Sequence, residues 1–200
     1  MSMSFKLVTS PIGTLKLVAS DEGLVAVLWE KERPGRVNLP DLVENPAHPL
    51  LLRTEKELNE YFSRTRKSFT VPLDMRGTYF QKQVWEALLG IPFGETRTYG
   101  QLANQLGNPK GTRAVGAANG RNPIAIIVPC HRVIGFSGKL TGFAGGLDAK
   151  AYLLSLEGAK IRNLKVTPEG IDESTAELFL TLGSGHSSSS EQSGISSKCT

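Results

Sequence analysis

Residues 98–120, TYGQLANQLGNPKGTRAVGAANG, decide the fold. Thr98 can cap a helix over residues 99–106, which Gly107 and Pro109 close. After the Asn108-Pro109-Lys110-Gly111 turn, a further helix covers residues 112–119 and runs to Gly120. Two short helices joined by a tight, glycine-containing turn give a helix-turn-helix pattern, with a plain helical hairpin as the alternative. The second helix has an unusual surface. Gly111, Ala114, Gly116, Ala117, Ala118 and Gly120 are all small, and they surround one long cation, Arg113. Glycine inside a helix costs roughly 1 kcal/mol relative to alanine, so something must offset it. Close approach to another backbone does so, whether that of a packed helix or of a nucleic acid. Against nucleic acid, a slim helix fits a minor groove, and Arg113 can fill the gap left by an extruded base.

Upstream, Thr78 caps a helix through Phe80, Val84, Trp85 and Leu88-Leu89 that stops before Gly90-Ile91-Pro92. The first thirty residues read as strands. Phe5 and Leu7, then Leu15 and Leu17, alternate with polar positions around the Pro11-Ile12-Gly13 turn, and Leu24 to Trp29 is a second apolar run. Residues 31–47, rich in proline and charge, read as a loop, residues 49–63 as a helix, and residues 69–73 as one more strand. The expected domains are an α/β unit over 1–75, a mostly helical unit over 76–160 and an extension over 161–200. In that extension residues 172–182 form a short amphipathic helix, and the Ser/Gly-rich chain from 183 is disordered.

Charge divides along the same lines. Residues 1–75 hold ten Lys/Arg and ten Asp/Glu, residues 76–160 ten against four, and residues 161–200 three against five. The net charge of +4 therefore arises in one block, as expected of a nucleic-acid-binding face. No apolar run approaches the ~20 residues of a membrane helix, and the first residues lack the basic start and apolar stretch of a secretory signal. The expectation is a chain without a membrane partner, cytoplasmic or, in a eukaryote, nuclear.

Only two cysteines occur, Cys130 and the penultimate Cys199, with three scattered histidines at 48, 131 and 186. They offer neither a disulfide framework nor zinc-ligand spacing, so no metal and no cofactor is expected. Cys130 is the thiol to explain. It follows the largely β-branched residues 124–128 (IAIIV) in the run Pro129-Cys130-His131-Arg132-Val133-Ile134-Gly135. A thiolate is the nucleophilic form of cysteine, and a nearby histidine or positive charge favours it. Neighbouring side chains on a strand point opposite ways, so adjacency alone does not put His131 on the sulfur. A water can bridge them, and a buried acid such as Glu157 can orient the imidazole and raise its basicity. A small core cysteine is the bland alternative.

The run Pro129-Cys130-His131-Arg132-Val133 resembles the active-site signature of the O6-alkylguanine-DNA alkyltransferases, also called methylated-DNA–protein-cysteine methyltransferases. The resemblance extends from about Phe80 to Gly158. It takes in Tyr99-Gly100-Gln101-Leu102-Ala103, Gly107-Asn108-Pro109, Arg113-Ala114-Val115-Gly116, Asn122-Pro123, Gly142-Phe143-Ala144-Gly145-Gly146 and Leu153-Leu154 with Glu157-Gly158. It implies a ribonuclease-H-like α/β first domain and a mostly helical second domain of helix-turn-helix, winged-helix-like type. It also implies roles. Cys130 accepts the alkyl group, His131 acts as a water-mediated base held by Glu157, and Asn122 braces the turn that carries them. Tyr99 donates to guanine N3 and helps rotate the nucleotide outward, while Arg113, with Ala114 and Gly116 on the same helix, faces the DNA. The carbonyls of Cys130 and Val133 accept from the guanine amino group, and the backbone N–H at Ala144, beside Phe143, faces O6. The implied partner is double-stranded DNA carrying O6-alkylguanine, and also O4-alkylthymine, bound by a monomer through the minor groove.

Departures matter as well. Where relatives often carry Tyr-Ser, this chain has Phe143-Ala144, which removes a hydroxyl near O6 but leaves the backbone donor. Ala125 stands where some relatives have proline, so a roomier pocket is expected. Three other functions fit parts of the sequence: a non-catalytic module that binds alkylated bases, a cysteine hydrolase, and a DNA-binding regulator without chemistry.

Overall fold

The computed structural model describes residues 3–30 and 34–159. The helix over 172–182, the Ser-rich tail and Cys199 lie outside the described residues. Three strands, β1 (Met3–Val8), β2 (Leu15–Ala19) and β3 (Leu24–Trp29), form an antiparallel meander, and β4 (Leu42–Glu44) adds in parallel to β1. The sheet order is β3-β2-β1-β4. Alternation in β2 sends Leu15, Leu17 and Ala19 into the large core, while Val18 joins Met3, Val25, Ala26 and Leu28 in a small cluster on the other face. Burial on both faces is why all six residues of β3 are apolar and buried. The helix α1 (Pro49–Phe62) covers the large-core face with Leu51, Leu58 and Tyr61.

Two expectations for this half need correction. Residues 31–47 are not loop throughout, since β4 lies within them. It is a three-residue edge strand, too short to show alternation. Residues 69–73 do not form a strand. Proline 72 has no N–H to give a ladder, and pairing shrinks to one bridge between Leu73 and Leu24.

The second half begins with α2 (Tyr79–Leu89), followed by β5 (Arg97–Thr98), α3 (Tyr99–Gln105) and α4 (Thr112–Gly120). Both α2 and α3 start at threonine capping boxes. Thr78 accepts from the Gln81 N–H and Thr98 from the Gln101 N–H, and each glutamine side chain returns a bond to the threonine N–H. A single 3-10 turn, Pro109–Gly111, separates α3 from α4. Val115 and Ala118 of α4 join the core, and the Trp85 indole of α2 donates to the Ala118 carbonyl at 2.9 Å. The chain then makes β6 (Val133–Ile134), parallel to β5, and α5 (Gly146–Leu156). The sequence reading had no counterpart for α5. One hydrophobic cluster runs through both halves, from Leu15 and Tyr61 to Cys130 and Leu153.

Candidate active site

Residues 121–132 connect α4 to β6 with no regular element beyond one 3-10 turn. The strand-like arrangement weighed for this stretch does not form. Ile126 has φ of 73° and sits at the centre of a γ-turn closed by the Ile127 N–H on the Ala125 carbonyl at 2.9 Å. A β-branched residue with positive φ is strained, by roughly 1–3 kcal/mol. Pro129, with φ −81° and ψ 63°, centres an inverse γ-turn closed by the Cys130 N–H on the Val128 carbonyl at 2.8 Å. Cys130–Arg132 then form a 3-10 turn. Side chains supplement these few backbone bonds. Asn122 donates to the Val128 carbonyl at 2.8 Å and accepts from the Ile124 N–H at 3.0 Å. Arg36 donates to the Asn122 carbonyl at 2.7 Å.

Cys130 is a free, buried thiol. Burial pushes its pKa up, while the Asn122 side chain and the charges of Lys150 and Arg36 pull the other way. Lys150 is completely buried on α5 and gives its ammonium protons to the carbonyls of Val133 at 2.6 Å and Thr141 at 2.7 Å. Burial brings its pKa down to about 8, against an opposing pull from Cys130.

His131, also completely buried, meets Glu157 through Nε2 and Oε1 at 2.9 Å. Glu157 caps the C-terminal end of α5 and gathers donors from three segments. Arg132 binds both its oxygens, with Nε to Oε2 and Nη2 to Oε1 at 2.9 Å each, and also donates to the Ile91 carbonyl. The Tyr61 hydroxyl donates to Oε1 at 2.7 Å and the Gly94 N–H to Oε2 at 3.2 Å. Gly94 has φ of 78°, and a Cβ there would lie 2.9 Å from the Glu157 carbonyl oxygen, so only glycine serves. Burial pushes the Glu157 carboxyl up, but the His131 and Arg132 hydrogen bonds and charges together hold it at about 2. An ionised carboxylate only accepts, so the proton of His131 sits on Nε2. Burial also pushes the imidazole pKa down and, outweighing the opposite pull of Glu157, keeps the ring neutral. Its Nδ1 is therefore a bare lone pair. It is buried and meets no hydrogen-bond partner among the described residues.

The remaining expected residues fall into two groups. Phe143 lies edge-on to the Trp29 ring, with centroids 5.2 Å apart, and stands 6.4 Å from the His131 ring, also edge-on. Ala144 follows it, half-buried. Gly145 lies so close to Trp29 that a Cβ would come within 2.3 Å of the indole. On the outer side, Arg113 and Ala114 are exposed on α4, and Gly116 of that helix faces the half-buried Tyr99 ring across 3.7 Å from its ideal Cβ. The Tyr99 hydroxyl lies 3.5 Å from that of Thr141. Cys130, His131, Glu157, Asn122 and Val133 thus gather inside, while Tyr99, Arg113, Ala114 and Gly116 lie toward the surface. Sequence reasoning missed Tyr61, Lys150 and the partnership of Arg132 with Glu157. Among the described residues no group of three or more His, Cys, Asp or Glu is placed to hold a metal ion.

What this geometry defines is a class of protein, one built around a buried cysteine whose histidine neighbour is oriented by an acid. Comparison with known proteins narrows the class to a family. Residues 3–75 match the model for the 6-O-methylguanine DNA methyltransferase ribonuclease-like domain, and residues 79–159 match the model for the DNA binding domain of the same proteins. The chain is 52% identical to the methylated-DNA–protein-cysteine methyltransferase of Methanosarcina acetivorans over 78% of its own length and 99% of the relative's. It is 48% identical to that of Mycobacterium tuberculosis, over 78% and 93%. The crystal structure of Mycobacterium tuberculosis OGT in complex with DNA superposes with a TM-score of 0.71 at 47% identity, covering 78% of this chain and 92% of that one. The chain belongs to the methylated-DNA–protein-cysteine methyltransferase family, with the two-domain fold of that family, a ribonuclease-like domain followed by a DNA-binding one.

Proposed function

We infer that this protein repairs DNA by direct reversal, moving an alkyl group from O6 of guanine to the sulfur of Cys130. The observation that carries the assignment to Cys130 is the bare Nδ1 of His131, a buried acceptor on the residue next to a buried thiol. The thiol proton passes to Nδ1, through a bridging water, and Glu157 stabilises the imidazolium that forms. The thiolate attacks the alkyl carbon. The S–C bond forms as the C–O6 bond breaks, and its electron pair leaves on guanine. Donors from the Tyr99 hydroxyl to N3 and from the Ala144 N–H to O6 stabilise the departing base, and the carbonyls of Cys130 and Val133 hold its amino group. The product is a thioether, which water does not cleave, so each molecule acts once.

Access to the base is the work of α3 and α4, which act as a DNA-binding helix-turn-helix. The outward side of α4, with Arg113, Ala114 and Ala117 exposed, supports entry into the minor groove of a duplex by a monomer. Arg113 takes the place of the flipped nucleotide, and Tyr99 lines its path. Ala144 and Ala125, small where relatives carry serine and proline, support acceptance of adducts larger than methyl, and O4-alkylthymine is accepted as well.

Intact-mass measurement after incubation with a duplex containing O6-methylguanine tests this. One methyl group is gained per molecule, and Cys130→Ala gains none. Binding without mass gain would mean a non-catalytic module, and repeated turnover would mean a hydrolase. Either result refutes the reading.

A further inference from the structure

The carboxylate that orients His131 is held from the first domain. Tyr61 lies in the last turn of α1, completely buried, with the rings of Phe62, Phe69 and Phe93 at centroid distances of 5.6, 5.3 and 6.1 Å. Its hydroxyl donates to Glu157 Oε1 at 2.7 Å. The same oxygen takes His131 Nε2 and Arg132 Nη2, each at 2.9 Å. We propose that Tyr61 is a positioning residue for alkyl transfer, a hydroxyl from the ribonuclease-like domain that fixes Glu157 Oε1 and sets how strongly it binds the His131 proton. The proposal rests on Cys130 being the alkyl acceptor.

The direction of the effect follows from charge sharing. An oxygen that accepts three donors has less negative charge to offer each of them. Without the phenol, Oε1 concentrates its charge on His131 and Arg132, so the Nε2–H bond strengthens and the imidazolium form gains. Burial and the carboxylate hold the phenol protonated, so it acts only as a donor here. Desolvation of a hydroxyl is costly unless it is hydrogen-bonded. An aromatic core built for packing alone would be served as well by phenylalanine, the residue at positions 62, 69 and 93.

Tyr61→Phe removes the O–H and little else. In the NMR spectrum at neutral pH, the proton on His131 Nε2 is expected to move downfield. In transfer from a methylated duplex, the acid limb of the pH–rate profile moves up by about half a pH unit. Phe62→Leu, which loosens the same ring cluster and keeps the hydroxyl, leaves both unchanged. An unmoved imidazole proton in Tyr61→Phe overturns the proposal, even if the variant is less stable, and so does an equal displacement in Phe62→Leu. Failure of the wild-type chain to take up an alkyl group would refute the role of Cys130 instead, and the NMR result would still decide the role of Tyr61.

Discussion

The helices α3 and α4 and the segment 122–134 that follows them differ in how their backbones are satisfied. The helices close their own hydrogen bonds, and a capping box starts α3, so Arg113 and Ala114 are left to face outward. The segment has no such internal ladder. Its carbonyls and its turns are braced by the side chains of Asn122, Arg36 and Lys150. A regular element can vary what it presents to a ligand at small cost. In the irregular one, Asn122 and Arg132 are committed to the shape of the site, and a change there should unsettle the whole.

The largest effect is expected from Glu157→Gln. It leaves the Arg132 guanidinium buried without its counter-charge, which costs about 3–5 kcal/mol when one partner of a buried pair is lost. A fall in the urea midpoint with an unchanged slope measures it. A loss under 1 kcal/mol would place the segment on a level with the helices and erase the contrast.

Acid should do gradually what that substitution does at once. Folding lowers the pKa of His131 below 6.5 and that of Glu157 from 4.5 to about 2. In both cases the unfolded chain binds more protons, so the stability these two groups contribute is complete above pH 6.5 and declines as pH falls, first through His131 and then between 4.5 and 2 through Glu157. Urea titrations at stepped pH follow this loss. In Glu157→Gln the component below pH 4.5 should shrink.

Changes on the helices should read differently. Arg113→Ala is expected to slow transfer from a duplex about tenfold, equivalent to about 1.4 kcal/mol, while the rate with free O6-benzylguanine stays as it was. Equal losses with both substrates would move Arg113 from DNA contact into the site itself. The smallest effect belongs to Thr98→Ala, which removes the cap of α3 for about 1 kcal/mol of stability, with free-base reactivity intact.

Much of this was readable from the sequence, for identifiable reasons. The caps of α2 and α3 are local, and the meander shows in the alternation of Leu15 and Leu17, so these elements fall where expected. The helix α5 escaped notice because five of its residues are buried, Lys150 among them, and it lacks a clear polar stripe. Residues 124–128 look like a strand by composition, yet one positive φ at Ile126 folds them into a turn. Cys130, His131 and Glu157 were found through motif and resemblance. Tyr61 and Lys150 were not, because a tyrosine in an amphipathic helix reads as core and a lysine reads as solvated surface. Only three-dimensional proximity tells otherwise. A lysine between Ala149 and Leu153 on a helix of mostly apolar residues was the one faint signal.

Trp29 pressed onto Gly145 has a consequence for modularity. The edge strand β3 leans on the loop that carries Phe143 and Ala144, just as Tyr61 reaches Glu157. A chimera joining residues 76–159 to the first half of a distant relative would have to bring its own indole and phenol to the same two points. Without them the graft would inherit a hole beneath one loop and an acid with a donor missing, and the transplanted half would carry its motif but not its poise.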